Sequence, residues 1–434
     1  MQIINGFLTD IKKSAEKGFL HIVSSQAINR AGRFLSAIVV VRLLTKEAYG
    51  NFSYAHNILQ LFLLVNGLGV YYAILQFCSE TDDLKRRHAF LKLGLKIGGL
   101  FNVFIFFAII LFVHFFDLPL KKSDEVLLLL CAMPLVILLF DIMNTYFRAS
   151  LRNREFSYFN ITNTILFLVG TIVGGYFFQI PGIIAGRYLA FILVILLGFW
   201  LFRSEIKGIY GASRPAIKEK WDFIKYALTV ALTNSLSQIL YLLDVFLVGL
   251  IIPSEAVVAS YKTATVIPFA LAFVPQSIIM FIYPYFARNL GDKKKLKSYF
   301  YKIQGYLVIF NFFLSAGLII FAPLIIRLAF GAQYLDAVLS FRILLAGYFI
   351  SGSFRLLGGN VLASLRKVKF NLLNSTFSGV SNIVLNIILI RRLGSVGAAV
   401  ATVAVLLLSS IASNVYLFLY FRKKDSDGMP TGKE

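Results

Sequence analysis

Residues 91–150 read LKLGLKIGGLFNVFIFFAIILFVHFFDLPLKKSDEVLLLLCAMPLVILLFDIMNTYFRAS. Two apolar runs, 91–116 and 125–150, flank a short polar turn that carries Lys121 and Lys122. Each run is long enough to cross a hydrocarbon core of about 30 Å. Lipid supplies no partner for backbone N–H and C=O groups, so a spanning segment is a helix or a strand of a closed barrel. A barrel strand needs only about ten alternating residues. These runs are longer and apolar on all sides, which selects the helix.

The same pattern recurs along the chain. Spans are expected at 19–44, 48–77, 91–116, 125–150, 158–178, 183–202, 223–251, 256–286, 300–326, 337–362, 370–390 and 396–421. The long second and eighth spans suggest tilt or partial exposure to water. The 434 residues are 58% hydrophobic and 15% charged, with a mean hydropathy of +0.78, whereas a soluble chain carries about 25% charged residues. The fold class read from this is an all-α membrane protein of about twelve transmembrane helices. An interfacial amphipathic segment is expected at 1–18, where Ile4, Phe7, Leu8 and Ile11 alternate helically with Asp10, Lys12, Lys13 and Lys17. A six-helix lobe follows at 19–202, a cytoplasmic linker with Gly208, Gly211 and Pro215 at 203–222, a second lobe at 223–421 and a tail at 422–434.

The net charge of +22 does not point to nucleic acid. The basic residues stand in short clusters between apolar runs, as the positive-inside rule requires. Most of the 43 Lys and Arg fall in the loops of one side. The other side has only Arg42, Lys46, Lys121, Lys122, Arg327, Arg391 and Arg392. This asymmetry places both termini in the cytoplasm and calls for an even number of spans. Cys78 and Cys131 are too few and too scattered for a disulfide framework or a metal site.

The halves resemble each other. Ala149-Ser150-Leu151-Arg152 recurs as Ala363-Ser364-Leu365-Arg366, and Gly182 before the sixth span matches Gly397 before the twelfth. Gly50-Asn51-Phe52 parallels Ala259-Ser260-Tyr261. Each match falls at the same topological place, so the lobes form a parallel repeat about an axis along the membrane normal. Such proteins place their substrate between the halves.

Basic residues inside the spans are Arg30, Arg33, Lys96, Arg187, Lys262, Arg342 and Arg355, against the acids Asp141 and Asp244. A charge at mid-helix costs about 3 kcal/mol on insertion scales and needs a partner, water or a function. Arg30 and Arg33 share one face of the first span with Gln26, Asn29 and Ser36, and no acid lies near them in sequence. Span seven carries the related stripe Asn234, Ser237, Gln238, Tyr241 and Asp244. Candidate substrate-binding residues are therefore Arg30, Arg33, Lys262, Arg355, Asn29 and Gln238. Asp244 and Asp141 are ion-coupling or structural acids, and Asp244 at the depth of Lys262 suggests a buried ion pair. Lys96, Arg342 and Arg187 read as snorkelling side chains. Pro268, Pro275 and Pro284 should bend span eight, as a gating hinge or as kinked packing.

A basic, water-filled cavity attracts anions, and guanidinium binds phosphate oxygens in pairs. The amides and hydroxyls suit sugars. Phosphate plus sugar crossing a bilayer suggests a lipid-linked saccharide. The segment Arg42-Leu43-Leu44-Thr45-Lys46-Glu47-Ala48-Tyr49-Gly50-Asn51-Phe52 resembles the "RLLxxxxYGxF" region of Wzx-type polysaccharide flippases. Asn66-Gly67-Leu68-Gly69 is similar to that family's "slGl" stretch. Leu243-Asp244-Val245-Phe246-Leu247-Val248-Gly249 and Ala259-Ser260-Tyr261-Lys262-Thr263-Ala264 resemble its seventh and eighth helices. The resemblance implies the multidrug/oligosaccharidyl-lipid/polysaccharide (MOP) exporter fold, with two pseudo-symmetric lobes and alternating access. It also implies a bacterial inner-membrane flippase of undecaprenyl-diphosphate-linked oligosaccharide, for O-antigen or a related surface polysaccharide. Its partners would be that lipid-linked oligosaccharide, membrane lipid, a polysaccharide polymerase and a chain-length regulator, with no cofactor. An ion-coupled multidrug exporter of the same fold should carry acids in the cavity. A membrane-embedded polymerase should carry a large outer loop, and the outer loops here are short. No P-loop, GxSxG or HExxH occurs.

Overall fold

A computed structural model of the chain describes residues 19–203, 205–213, 215–288, 292–365 and 367–422. The expected interfacial segment 1–18 and most of the tail lie outside the described residues. Among the described residues every regular element is helical. Among the described residues nine helical segments are long and apolar enough to cross a membrane, and the chain is a multi-pass membrane protein. One of the nine, Asn153–Leu201, is a hairpin of two helices. The helices Phe19–Leu43 and Ile217–Ile251 are comparable in length. Each span expected from the sequence thus has a helical counterpart.

Local chemistry explains the ends. The helix Lys46–Leu63 starts where the Thr45 hydroxyl accepts from the Ala48 N–H at 3.2 Å. Leu84–Phe115 starts at Asp83, whose carboxylate accepts from Lys85 N at 3.0 Å. Span two is neither a continuous rod nor simply tilted, as its length had suggested. It breaks at Asn66–Gly69, where Gly67, Leu68 and Gly69 have φ of 55°, 54° and 72°, and resumes as Val70–Ser79. Span eight divides into Glu255–Leu271 and Phe273–Arg288. The break falls where the ring of Pro275 would meet the carbonyl of Leu271, so the expected bend is present.

The fifth and sixth spans meet through bare backbone. The turn is at Gln179 (φ 50°, ψ −129°), and Gly170 and Gly174 face Gly186 and Gly182. A Cβ on Gly174 would lie 2.0 Å from Gly182 O, and one on Gly170 2.6 Å from Gly186 O. These are facing small-xxx-small motifs of the kind that let membrane helices approach closely. Spans eleven and twelve, Val368–Leu393 and Ser395–Arg422, repeat the turn at Gly394 (φ 63°, ψ −149°). There a Cβ on Gly397 would lie 2.1 Å from Leu389 O.

Tertiary contacts repeat as well. Asn51 Oδ1 accepts from Lys122 N at 3.2 Å, and its counterpart Ser260 donates to Asp336 Oδ2 at 2.7 Å. Asn102 in the middle of span three bonds Asn66 Oδ1 at 2.7 Å and Pro134 O at 2.6 Å, and accepts from Gly67 N at 2.7 Å. Asn311, its counterpart in Lys293–Ile320, donates to Ser353 Oγ and accepts from the Tyr348 hydroxyl at 2.7 Å. By internal contacts the chain divides into two compact units, Met1–Leu242 with Pro253–Ala259, and Leu243–Ile252 with Ser260–Glu434. The helix Ile217–Ile251 therefore contributes its residues up to Leu242 to the first unit.

Candidate functional site

In the first unit the site begins with the two sides of Phe19–Leu43. Ser25, Gly32, Ser36 and Val40 recur at helical spacing and are buried. Gly32 seats this face on span five, where a Cβ would lie 2.1 Å from Thr164. Ile28 and Leu35 are exposed on another side. Arg30 and Arg33 are exposed too, but they project roughly opposite those aliphatic groups at 100° per residue. The guanidinium groups thus leave the helix on a face separate from its exposed aliphatic one.

Neutral amides border this basic face. Asn29 Nδ2 donates to Asn160 Oδ1 at 3.3 Å, and Asn160 Nδ2 donates to Asn144 Oδ1 at 2.5 Å. These bonds tie spans one, five and four together. One turn before Asn144 stands Asp141, half-buried and close enough to Arg33 for their charges to interact. Arg33 therefore does have an acid, brought from a span distant in sequence. Asn66 Nδ2 approaches Asp141 Oδ2 at 3.4 Å, so the break in span two belongs to the same network. Gln238 is exposed on Ile217–Ile251 in the first unit, outside this network. The sequence reading gave no site role to Asn66, Asn144 or Asn160, although a lone amide in an apolar run is a usable signal.

The second unit holds the other acid. Asp244 is fully buried. Its Oδ1 accepts from Asn382 Nδ2 at 3.2 Å and Asn386 Nδ2 at 2.9 Å, and its Oδ2 from the Tyr261 hydroxyl at 3.3 Å and the Thr402 hydroxyl. The expected Asp244–Lys262 ion pair is not formed. Lys262 is half-buried and absent from this shell, because the adjacent Tyr261 is the residue of that turn that faces Asp244. Asn382 Oδ1 and Asn386 Oδ1 are buried without a hydrogen-bond partner. Arg355 closes the wide helical turn Ser351–Arg355 and donates to Ser409 Oγ at 3.3 Å.

The remaining charges divide. Lys96 and Arg342 are exposed, as snorkelling side chains are, and Arg342 Nε donates to Ile319 O at 3.1 Å. Arg187 corrects its expectation. It is only 7% exposed, and its guanidinium lies between the rings of Phe52 and Phe167, 5.0 and 4.8 Å from their centroids.

Known proteins identify the family and share the fold. Residues 39–339 match the sequence profile described as "Polysaccharide biosynthesis protein". The chain belongs to the polysaccharide biosynthesis protein family. No curated protein sequence matches it. A multidrug-resistance MATE-family transporter of the MOP superfamily, in an inward-facing conformation, has a similar structure, with a TM-score of 0.74 at 14% identity over 91% of this chain and 94% of that one. The lipid II flippase MurJ, in an inward closed conformation, gives 0.71 at 18% identity over 93% and 87%. A MOP-superfamily transporter from Pyrococcus furiosus Vc1 gives 0.59 at 15% identity over 94% and 96%. This member of the polysaccharide biosynthesis family has the fold of MOP-superfamily transporters.

Proposed function

We propose that this chain is a flippase. It carries undecaprenyl-diphosphate-linked oligosaccharide repeat units, of O-antigen or a related surface polysaccharide, across the bacterial inner membrane by alternating access. The observation that carries this reading is the pair Arg30 and Arg33, exposed together on a face bordered by Asn29, Asn144 and Asn160. Guanidinium groups grip a diphosphate by paired, charge-assisted hydrogen bonds. The amides offer donors and acceptors to sugar hydroxyls. Asp141 serves as the resident counter-charge of Arg33 until the diphosphate takes its place. Lys262 and Arg355 add positive potential within the second unit. The polyprenyl chain stays in lipid.

In this reading the lobes 19–202 and 223–421, joined by the linker 203–222, do the rocking, with both termini in the cytoplasm. Polymerase and chain-length regulator act on the delivered unit. Energy enters at Asp244, which binds a monovalent cation. The oxygen-only set of Asp244, Thr402 and the amides of Asn382 and Asn386 suits a hard cation. The two amide oxygens lacking partners are the groups that amide rotation would turn toward the ion. A buried carboxylate met only by neutral donors is costly, and a bound cation removes that cost.

The test is replacement of both Arg30 and Arg33 by Ala, with normal membrane abundance verified. Export of the surface polymer should be abolished, at least 100-fold below wild type. Undiminished export by this variant would refute the reading. Growth inhibited by toxic cations on deletion, with surface polymer intact, would point instead to the multidrug exporter.

A further inference from the structure

The internal repeat gives each half the same helix pairs, and at one place it exchanges the chemistry. Matching helix ends set the register. Leu44 N bonds Val40 O as Ile252 N bonds Val248 O, and Ser36 precedes Leu44 by as many residues as Asp244 precedes Ile252. Tyr49 N bonds Thr45 O as Val258 N bonds Ser254 O, which aligns Phe52 with Tyr261. The turns at Gln179 and Gly394, with Gly182 and Gly397 each against the residue eight before it, align Phe167 with Asn382, Thr171 with Asn386 and Arg187 with Thr402.

Every member of the Asp244 shell therefore has a counterpart in the first unit, and no counterpart keeps the same side chain. Ser36 stands in place of the carboxylate. Phe52 lacks the hydroxyl of Tyr261, and Phe167 lacks the amide of Asn382. Arg187 replaces Thr402 and places its guanidinium between those two rings. The faces of aromatic rings attract a cation through their quadrupole. No carboxylate lies within ion-pair distance of Arg187 among the described residues. The rings thus act as its electrostatic partners in a setting that otherwise penalises an unpaired charge. Ser36 Oγ, Thr171 Oγ1 and Arg187 Nε are all buried without hydrogen-bond partners. This is a region that in the second unit is knitted around a carboxylate.

We propose that Arg187 is the built-in cation of the first unit. It is fixed where the second unit presents an exchangeable cation pocket, so that only the second unit takes up and releases an ion. The assignment rests on the reading of Asp244 as that pocket. The first unit then keeps permanently the charge that the second unit acquires and loses. One monovalent cation is exchanged per chain in each cycle.

The experiment uses the full chain in detergent and in cells, with Arg187→Lys, Arg187→Met and Arg187→Ala. Lys keeps the charge and Met keeps only length and apolar bulk. We expect Arg187→Lys to retain transport within about threefold of wild type, and Arg187→Met to lose about tenfold or more. Guanidinium at millimolar, non-denaturing concentration should restore thermal stability to Arg187→Ala, and urea, its neutral analogue, should not. If a variant fails to accumulate, folded protein in the membrane is the readout, again Lys against Met. Lys doing no better than Met, or urea rescuing as well as guanidinium, would overturn the proposal. In parallel, calorimetric titration with sodium, and proton release at varied pH, should give one cation per wild-type chain and none for Asp244→Asn. A cation retained by Asp244→Asn would overturn the single-exchange claim. No uptake by wild type would remove the reading of Asp244 alone, leaving the fixed charge to stand or fall on Lys against Met.

Discussion

The Asp244 pocket and the Arg187 sandwich occupy matching places in the two units, yet they solve opposite problems. Around Asp244, four neutral donors converge on one anion. Around Arg187, two ring faces enclose one cation, and its Nε is buried without a hydrogen-bond partner. The helix ends, the hairpin turns and the close contact at Gly182 or Gly397 recur in both sets. Duplicated backbone geometry thus leaves the sign of the buried charge free. A handful of side chains decide which ionisable group a half-repeat buries.

The largest effect that bears on this contrast is expected at Asp244. Asp244→Asn should keep the fold, because an amide oxygen can still accept from Thr402 and Tyr261. It should cut transport by about 100-fold or more in a vesicle assay, a loss of nearly 3 kcal/mol. Near-normal transport would reduce the pocket to packing and erase the functional contrast with Arg187. Next come the hairpins. Gly174 has a glycine opposite it and its counterpart is Leu389, so the first hairpin has no side chain on either helix at this contact, whereas the second has one. Gly174→Leu should lower stability by about 2–3 kcal/mol through overpacking, read as a fall in melting temperature. Leu389→Gly should cost less than that. Equal costs would show that the hairpins tolerate bulk alike. The smallest effect is expected at the mid-span amides. Asn102 serves three partners and Asn311 two. Asn102→Leu should destabilise by about 2 kcal/mol and Asn311→Leu by about 1 kcal/mol, compared by the same melting assay.

The helices were legible because apolar length is a local property, and so was the repeat, since Gly182 and Gly397 prove to stand at equivalent places in the two hairpins. What escaped was set by contacts between distant segments. Arg187 lies close to the start of its span by counting, which suggested snorkelling. Phe52 and Phe167, from two other helices, hold it inside. Lys262 adjoins the residue that meets Asp244, but sequence position does not fix the face of a helix, and one residue, about 100° of rotation, gave the contact to Tyr261. Asp141 comes near enough to Arg33 for their charges to interact although no acid was near in sequence. The break at Asn66–Gly69 was written in two glycines, yet the apolar residues on both sides made one long span the simpler reading.

That break has a mechanical meaning. A continuous helix passes torsion from end to end through its ladder of hydrogen bonds, whereas three successive left-handed residues interrupt the ladder. Lys46–Leu63 and Val70–Ser79 are therefore separate rods on a universal joint, with Asn102 as the pin through it. Movement at one end of this broken span can proceed while its other end holds still.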